Sequence, residues 1–138
     1  MTITVLLVDD NVTFLGIVSR FLRDQPDLTV VGAAASGADG IAKALALRPQ
    51  VVVLDLVMPE YSGFYVLPRL NEQLPGTAVV VLTLLEGEGY EEAARAAGAD
   101  GFVAKSRMHA DLAPAIREAA ETVGSRRRAP AAAPSAKV

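Results

Sequence analysis

The chain has 138 residues, the length of one domain and not of two. Half of them are apolar (51%), enough to bury a real core, and the lack of any cysteine excludes disulfides, thiol chemistry and cysteine-ligated metals. The net charge is −3, but the last 15 residues hold Arg126, Arg127, Arg128 and Lys137 and no acid; removing these four charges leaves −7 on residues 1–123, which argues against a nucleic-acid-binding surface there.

Ile3–Val8 is a short β-branched apolar run that stops at Asp9-Asp10-Asn11, and it predicts a buried strand. Phe14, Ile17, Val18, Phe21 and Leu22 then recur at helical spacing until Gln25-Pro26, with Asn11 as the helix cap. Leu28–Ala34 predicts a second strand. Ser36-Gly37 opens an Ala-rich helix that Pro49 stops. Val51–Leu54 predicts a third strand ending at Asp55, and Gly63–Leu74 is helical in period, with Pro68 inside it as a point of delay or kinking. Ala78–Leu82 predicts a fourth strand ending at Thr83, and Glu88–Ala97 a helix stopped by Gly98. Phe102–Ala104 predicts a short fifth strand ending at Lys105. Ala110–Val123 predicts the closing helix, with Asp111 as its cap and Pro114 in its first turn.

Strands that are apolar on both faces and alternate with helices specify an α/β fold, a parallel sheet covered by helices on both sides. The domain spans residues 1–123. From Gly124 the chain turns to Arg, Ala, Pro and Ser without apolar period, which predicts a mobile tail or linker over 124–138. No apolar stretch approaches the ~20 residues a membrane span needs, and the N-terminus lacks the basic flank and apolar run of a signal peptide, so the expected location is the cytoplasm.

In open α/β sheets ligands bind beyond the carboxyl ends of the strands. This sequence places Asp9 and Asp10, Asp55, Thr83 and Lys105 at those ends. None is needed for packing, and grouped carboxylates repel unless a cation or a shared proton relieves them. An all-oxygen set points to a hard cation, and Mg²⁺ suits it best because it keeps waters and completes its octahedron with phosphate oxygens.

The order and spacing of these residues carry a resemblance. Leu6-Leu7-Val8-Asp9-Asp10-Asn11, then Asp55-Leu56-Val57-Met58-Pro59 with Gly63, then Val81-Leu82-Thr83, then Gly101-Phe102-Val103-Ala104-Lys105 resembles the receiver domain of two-component response regulators. The match covers about residues 1–123. Lys105-Ser106 and Ala115-Ile116-Arg117 resemble the branch whose output domain is a DNA-binding helix-turn-helix. The resemblance implies a doubly wound, flavodoxin-like sheet of order 2-1-3-4-5. It implies a switch phosphorylated on Asp55 by a sensor histidine kinase, and Mg²⁺ held by Asp10, Asp55 and the Val57 carbonyl, with Asp9 acting through a water. Lys105 and Thr83 would then bind phosphoryl oxygens and Phe102 would swing inward as Thr83 moves. Val57 and Leu85, two residues beyond the phosphoacceptor and the hydroxyl, would tune decay. The implied outputs are transcription control through an output domain outside this chain, a phosphorylation-dependent homodimer, or a stand-alone regulator acting by protein contact. No membrane or direct nucleic-acid partner is implied. Ser106 replaces the proline that follows the lysine in many receivers, which puts a cis peptide there in doubt.

Other functions fit less well. An aspartyl-phosphate phosphatase needs a second Asp two residues after its nucleophile, where Val57 stands. A phosphorylation-independent pseudo-receiver would have lost an acid or the lysine. Gly87-Glu88-Gly89 lacks the third glycine of a dinucleotide site, and the run before Lys105-Ser106 has Ala104 where a phosphate loop requires glycine. His109 is expected to be solvated, and the Arg126–Arg128 run to be a solvated linker.

Overall fold

Continuous apolar runs suit strands buried on both faces, and five of them pair in parallel in the computed structural model, which describes residues 2–128. The strands are β1 (Ile3–Val8), β2 (Leu28–Ala34), β3 (Val51–Leu54), β4 (Ala78–Thr83) and β5 (Gly101–Ala104), in the order β2-β1-β3-β4-β5. This is the doubly wound order expected. Residues of β1 and β3 alternate between two cores. Val5, Leu7, Val51 and Val53 face α1 (Val12–Arg23) and α5 (Met108–Arg128), while Leu6, Val8, Val52 and Leu54 face α2 (Gly37–Leu47), α3 (Gly63–Gln73) and α4 (Glu88–Ala96). Each such Val or Leu contributes roughly 1.5–3 kcal/mol of burial relative to exposure. At the β2 edge, Val5 pairs with Val30 and Leu6 with Gly32, so Val31 is bulged out, which disfavours pairing with another chain.

The helix ends show why the pattern was readable, and where it was not. Asn11 caps α1 by accepting the Phe14 N–H at 3.0 Å, and Ser36 caps α2 through the Asp39 N–H at 3.1 Å. Gly98, at φ 114°, ends the α4 region in a conformation that only glycine adopts without strain. Helix α3 does run through Pro68, because its buried face of Val66, Leu67 and Leu70 outweighs one lost backbone bond.

The last helix departs from expectation at both ends. Lys105–Arg107 forms a 3₁₀ turn that passes directly into α5 at Met108, whose side chain is buried. Asp111 therefore lies inside the helix and pairs with Arg107 at 2.8 Å instead of capping it. At the other end α5 continues to Arg128, five residues beyond Val123. Gly124 costs only about 1 kcal/mol inside a helix and arginine is a good helix former, so the glycine does not stop it. The rest of the expected linker, 129–138, lies outside the described residues. Arg117 on α5 clamps Asp27 with contacts of 2.7 and 3.0 Å and reaches Gln25 at 2.8 Å, tying α5 to the turn before β2.

Gly63 joins fold to site. Its N–H donates to the Leu56 carbonyl at 2.9 Å. A methyl group on it would overlap the carbonyl oxygen of Asp55 and lie 2.7 Å from the Leu56 Cα. Backbone cannot yield as a side chain can, so Gly63→Ala should destabilise by about 1–3 kcal/mol, read by urea denaturation.

Candidate functional site

Parallel strands carry all their carboxyl ends to one edge of the sheet, and there the structure gathers residues distant in sequence. Asp9 follows β1, Asp55 follows β3 and Lys105 follows β5. The carboxylates of Asp9, Asp10 and Asp55 can present oxygens all within 4.8 Å of one another. Lys105 Nζ lies 2.7 Å from Asp9 Oδ2 and 3.2 Å from Asp55 Oδ2. Asp9 and Asp55 are buried while Asp10 is exposed. The second oxygen of Asp9 accepts the Asn11 N–H at 2.8 Å, and that of Asp55 accepts the Val57 N–H at 3.2 Å. Among the described residues no buried side-chain polar atom lacks a partner, so Lys105 acts as the resident counter-ion.

The cluster is short of positive charge, since one ammonium serves the two carboxylates it contacts. Burial raises the pKa of Asp9, and the neighbouring Asp55 adds to this; the hydrogen bonds from Lys105 and the Asn11 N–H oppose it without cancelling it. For Lys105 burial acts downward, but the bond to Asp9 and the two negative charges outweigh it, so its pKa is raised. An acid raised in the folded state takes up protons on folding at intermediate pH. Its ionisation therefore opposes folding fully at neutral pH and is relieved as pH falls through the folded pKa toward the ordinary 3.8. Asp9→Asn should accordingly melt higher than the wild type at pH 7. The gain should shrink as pH falls toward 4; a thermal melt series checks both.

Three carboxylates form a hard-oxygen donor set that suits a divalent cation keeping part of its water shell. The cleft above them, about 630 Å³, is lined by the three aspartates, Asn11 and Lys105 and closed by Val57, Met58, Leu84 and Leu85. It is open to solvent, as a site that takes a group from another molecule requires.

The other expected residues sit differently. Thr83 is fully buried and its hydroxyl accepts the Leu85 N–H at 3.3 Å, away from the carboxylates' own bonds. Phe102 is half-buried against the core on the α3 side. Asn11 is a cap, as expected. His109 is exposed but packs edge-on against Phe21, with ring centroids 5.0 Å apart. No peptide bond among the described residues is cis, including the one before Ser106, and Ser106 Oγ donates to Glu86 at 3.3 Å. Two neighbours of the site were not singled out from sequence. Leu84 stands at the cleft's lip, 72% exposed. Phe14 lies beneath Lys105, with the ammonium 4.2 Å from its ring centroid.

Comparison with known proteins agrees with this geometry. The profile of the response regulator receiver domain matches residues 5–117. The response regulator protein VraR of Staphylococcus aureus is 36% identical over 118 residues, 86% of this chain and 56% of VraR, so the chain spans about half the length of that relative. Among solved structures, the signal receiver domain of NarL from Mycobacterium tuberculosis superposes with a TM-score of 0.82 at 27% identity, covering 87% of this chain and 97% of that one. A two-component response regulator of the LuxR family from Aurantimonas sp. SI85-9A1 gives 0.81 at 25% identity, covering 92% and 99%.

Proposed function

Since the chain belongs to the response regulator receiver domain family, we propose that it is a cytoplasmic switch that accepts a phosphoryl group on Asp55 from a sensor histidine kinase in a Mg²⁺-dependent step. The observation that carries the reading is the convergence of Asp9, Asp10 and Asp55 within 4.8 Å, with Lys105 at 2.7 and 3.2 Å from two of them. A carboxylate oxygen of Asp55 attacks phosphorus, forming the acyl phosphate as the bond to the donor's nitrogen or oxygen breaks and the donor leaves with that electron pair. Lys105 follows the charge onto the new phosphoryl oxygens, and the Val57 N–H keeps the Asp55 side chain oriented. Catalysis is then mostly positioning and electrostatic stabilisation. Asp10, Asp55 and the Val57 carbonyl would hold Mg²⁺, with Asp9 reaching it through a water, and the ion would supply charge neutralisation for the phosphoryl group.

Output follows from charge. Phosphorylation adds roughly −1.5 to −2 at neutral pH. Thr83 exchanges its bond with the Leu85 N–H for one to a phosphoryl oxygen, and Phe102, paired across the β4–β5 ladder with Val81, relays the shift to the face formed by α4, β5 and α5. We assign this face to self-association or partner docking. We assign the final output to transcription control through a DNA-binding domain outside this chain, in keeping with its similarity to a LuxR-family regulator; action by protein contact alone is the alternative.

The test uses the chain with acetyl phosphate as donor. Mass spectrometry should find one phosphoryl group, on Asp55, in the presence of Mg²⁺ and none after chelation. Modification that ignores chelation, or that falls on another residue, would remove the basis for the proposal.

A further inference from the structure

We infer that Phe14 is a positioning residue for phosphoryl transfer, its ring face holding the Lys105 ammonium over Asp9 and Asp55; this rests on the function proposed above. The Lys105 ammonium lies against Asp9 at 2.7 Å, Asp55 at 3.2 Å and the Phe14 ring, whose centroid is 4.2 Å from Nζ. That distance lies well inside the ~6 Å over which a cation is held by the electron-rich face of a ring. In the proposed reaction both acidic neighbours change. Asp55 becomes an acyl phosphate, and a bound cation would draw on the charge of Asp9. The ring, neutral and untouched by the reaction, is the wall against which the ammonium moves from carboxylate to phosphoryl oxygen.

The wall is itself anchored to the site. Phe14 donates its backbone N–H to the Asn11 side chain at 3.0 Å, and Asn11 donates its own N–H to Asp9 at 2.8 Å. Asp9 binds Lys105, and Lys105 rests on Phe14. The four residues form a closed circuit in which the cap of α1 sets the height of the ring. The same ring lines a small void together with Val18, Val53, Leu82 and the two buried aspartates, so trimming it would join that void to the lysine's pocket and free the ammonium.

The experiment compares Phe14→Leu and Phe14→Tyr with the wild type in the initial rate of Asp55 modification by acetyl phosphate at saturating Mg²⁺. Phe14→Leu, which keeps apolar bulk but loses the ring, should be about five- to tenfold slower, and Phe14→Tyr should stay within roughly twofold of wild type. In a Lys105→Ala background, Phe14→Leu should cost nothing further; a purely structural role would slow both backgrounds alike. The chain has no tryptophan, so Phe14→Trp provides a single tryptophan, excited selectively over the three tyrosines, that serves even where Phe14→Leu fails to fold. Its emission should shift when Lys105→Met removes the ammonium. Equal rates for Phe14→Leu and a modified wild type, equal losses in the two backgrounds, or emission indifferent to Lys105→Met would each overturn the inference while leaving the proposed function standing. A wild type that takes no phosphoryl group on Asp55 would overturn the function and this inference with it.

Discussion

Asp55→Asn is expected to abolish modification by acetyl phosphate while the domain stays folded. The amide has nearly the shape of the carboxylate, and its oxygen still accepts from Lys105 or from the Val57 N–H, the two donors that Asp55 meets at 3.2 Å. What it loses is the nucleophile, since an amide oxygen shares its electron pair with nitrogen and carries no net charge. The rate should fall to background, at least about a thousandfold, or some 4 kcal/mol in the barrier. Stability should not fall with it, because the variant removes one of the two negative charges contending for Lys105. Parallel measurement of phosphoryl incorporation and the melting curve separates the two effects. Incorporation at wild-type stoichiometry in a folded Asn variant would show that Asp55 is not the acceptor.

The strand ends were legible because the sheet is parallel. Strands buried on both faces leave unbroken apolar runs, so Asp9, Asp55, Thr83 and Lys105 stand out as the first polar residues after each. That these ends share one edge follows from the parallel pairing of the strands, and the cluster of three acids and a lysine follows in turn. What the sequence did not show depends on conformation between elements. Whether the Thr83 hydroxyl faces the cleft or its own loop is decided by the turn at Leu85, whose N–H it accepts. Asp111 has the composition of a cap, but the 3₁₀ turn at Lys105–Arg107 starts the helix earlier and turns it into an ion-pair partner. Phe14 satisfies helical periodicity equally well as a core aromatic and as a platform under an ammonium. Only the approach of Lys105, just after β5, to Phe14 on α1, far apart in the chain, distinguishes the two.

Phosphorylated Asp55 should decay slowly, with a half-life of minutes or longer in order of magnitude when no phosphatase is present. Hydrolysis requires a water placed in line with phosphorus, opposite the Asp55 oxygen, and held there long enough to react. Val57 and Leu85 both line the cleft above Asp55; Val57 is 53% exposed and Leu85 half-buried, so both are near the approach that water must take. Neither side chain has a donor or acceptor with which to orient it, and Leu84 adds further apolar bulk at the lip. The double variant Val57→Asn, Leu85→Glu supplies an amide and a carboxylate at these two places and should accelerate decay about ten- to a hundredfold, a barrier change of roughly 1.4–2.8 kcal/mol. Val57 is exposed and Leu85 is half-buried at the margin of the second core, so the fold should survive both changes. The measurement is loss of the phosphoryl group after rapid removal of the donor at constant Mg²⁺, for the wild type, each single variant and the pair. A wild-type half-life of seconds would mean that water is already positioned by another group. No acceleration in the double variant would mean that access, not orientation, limits the attack, and Leu84→Ala would then be the substitution that shortens the lifetime.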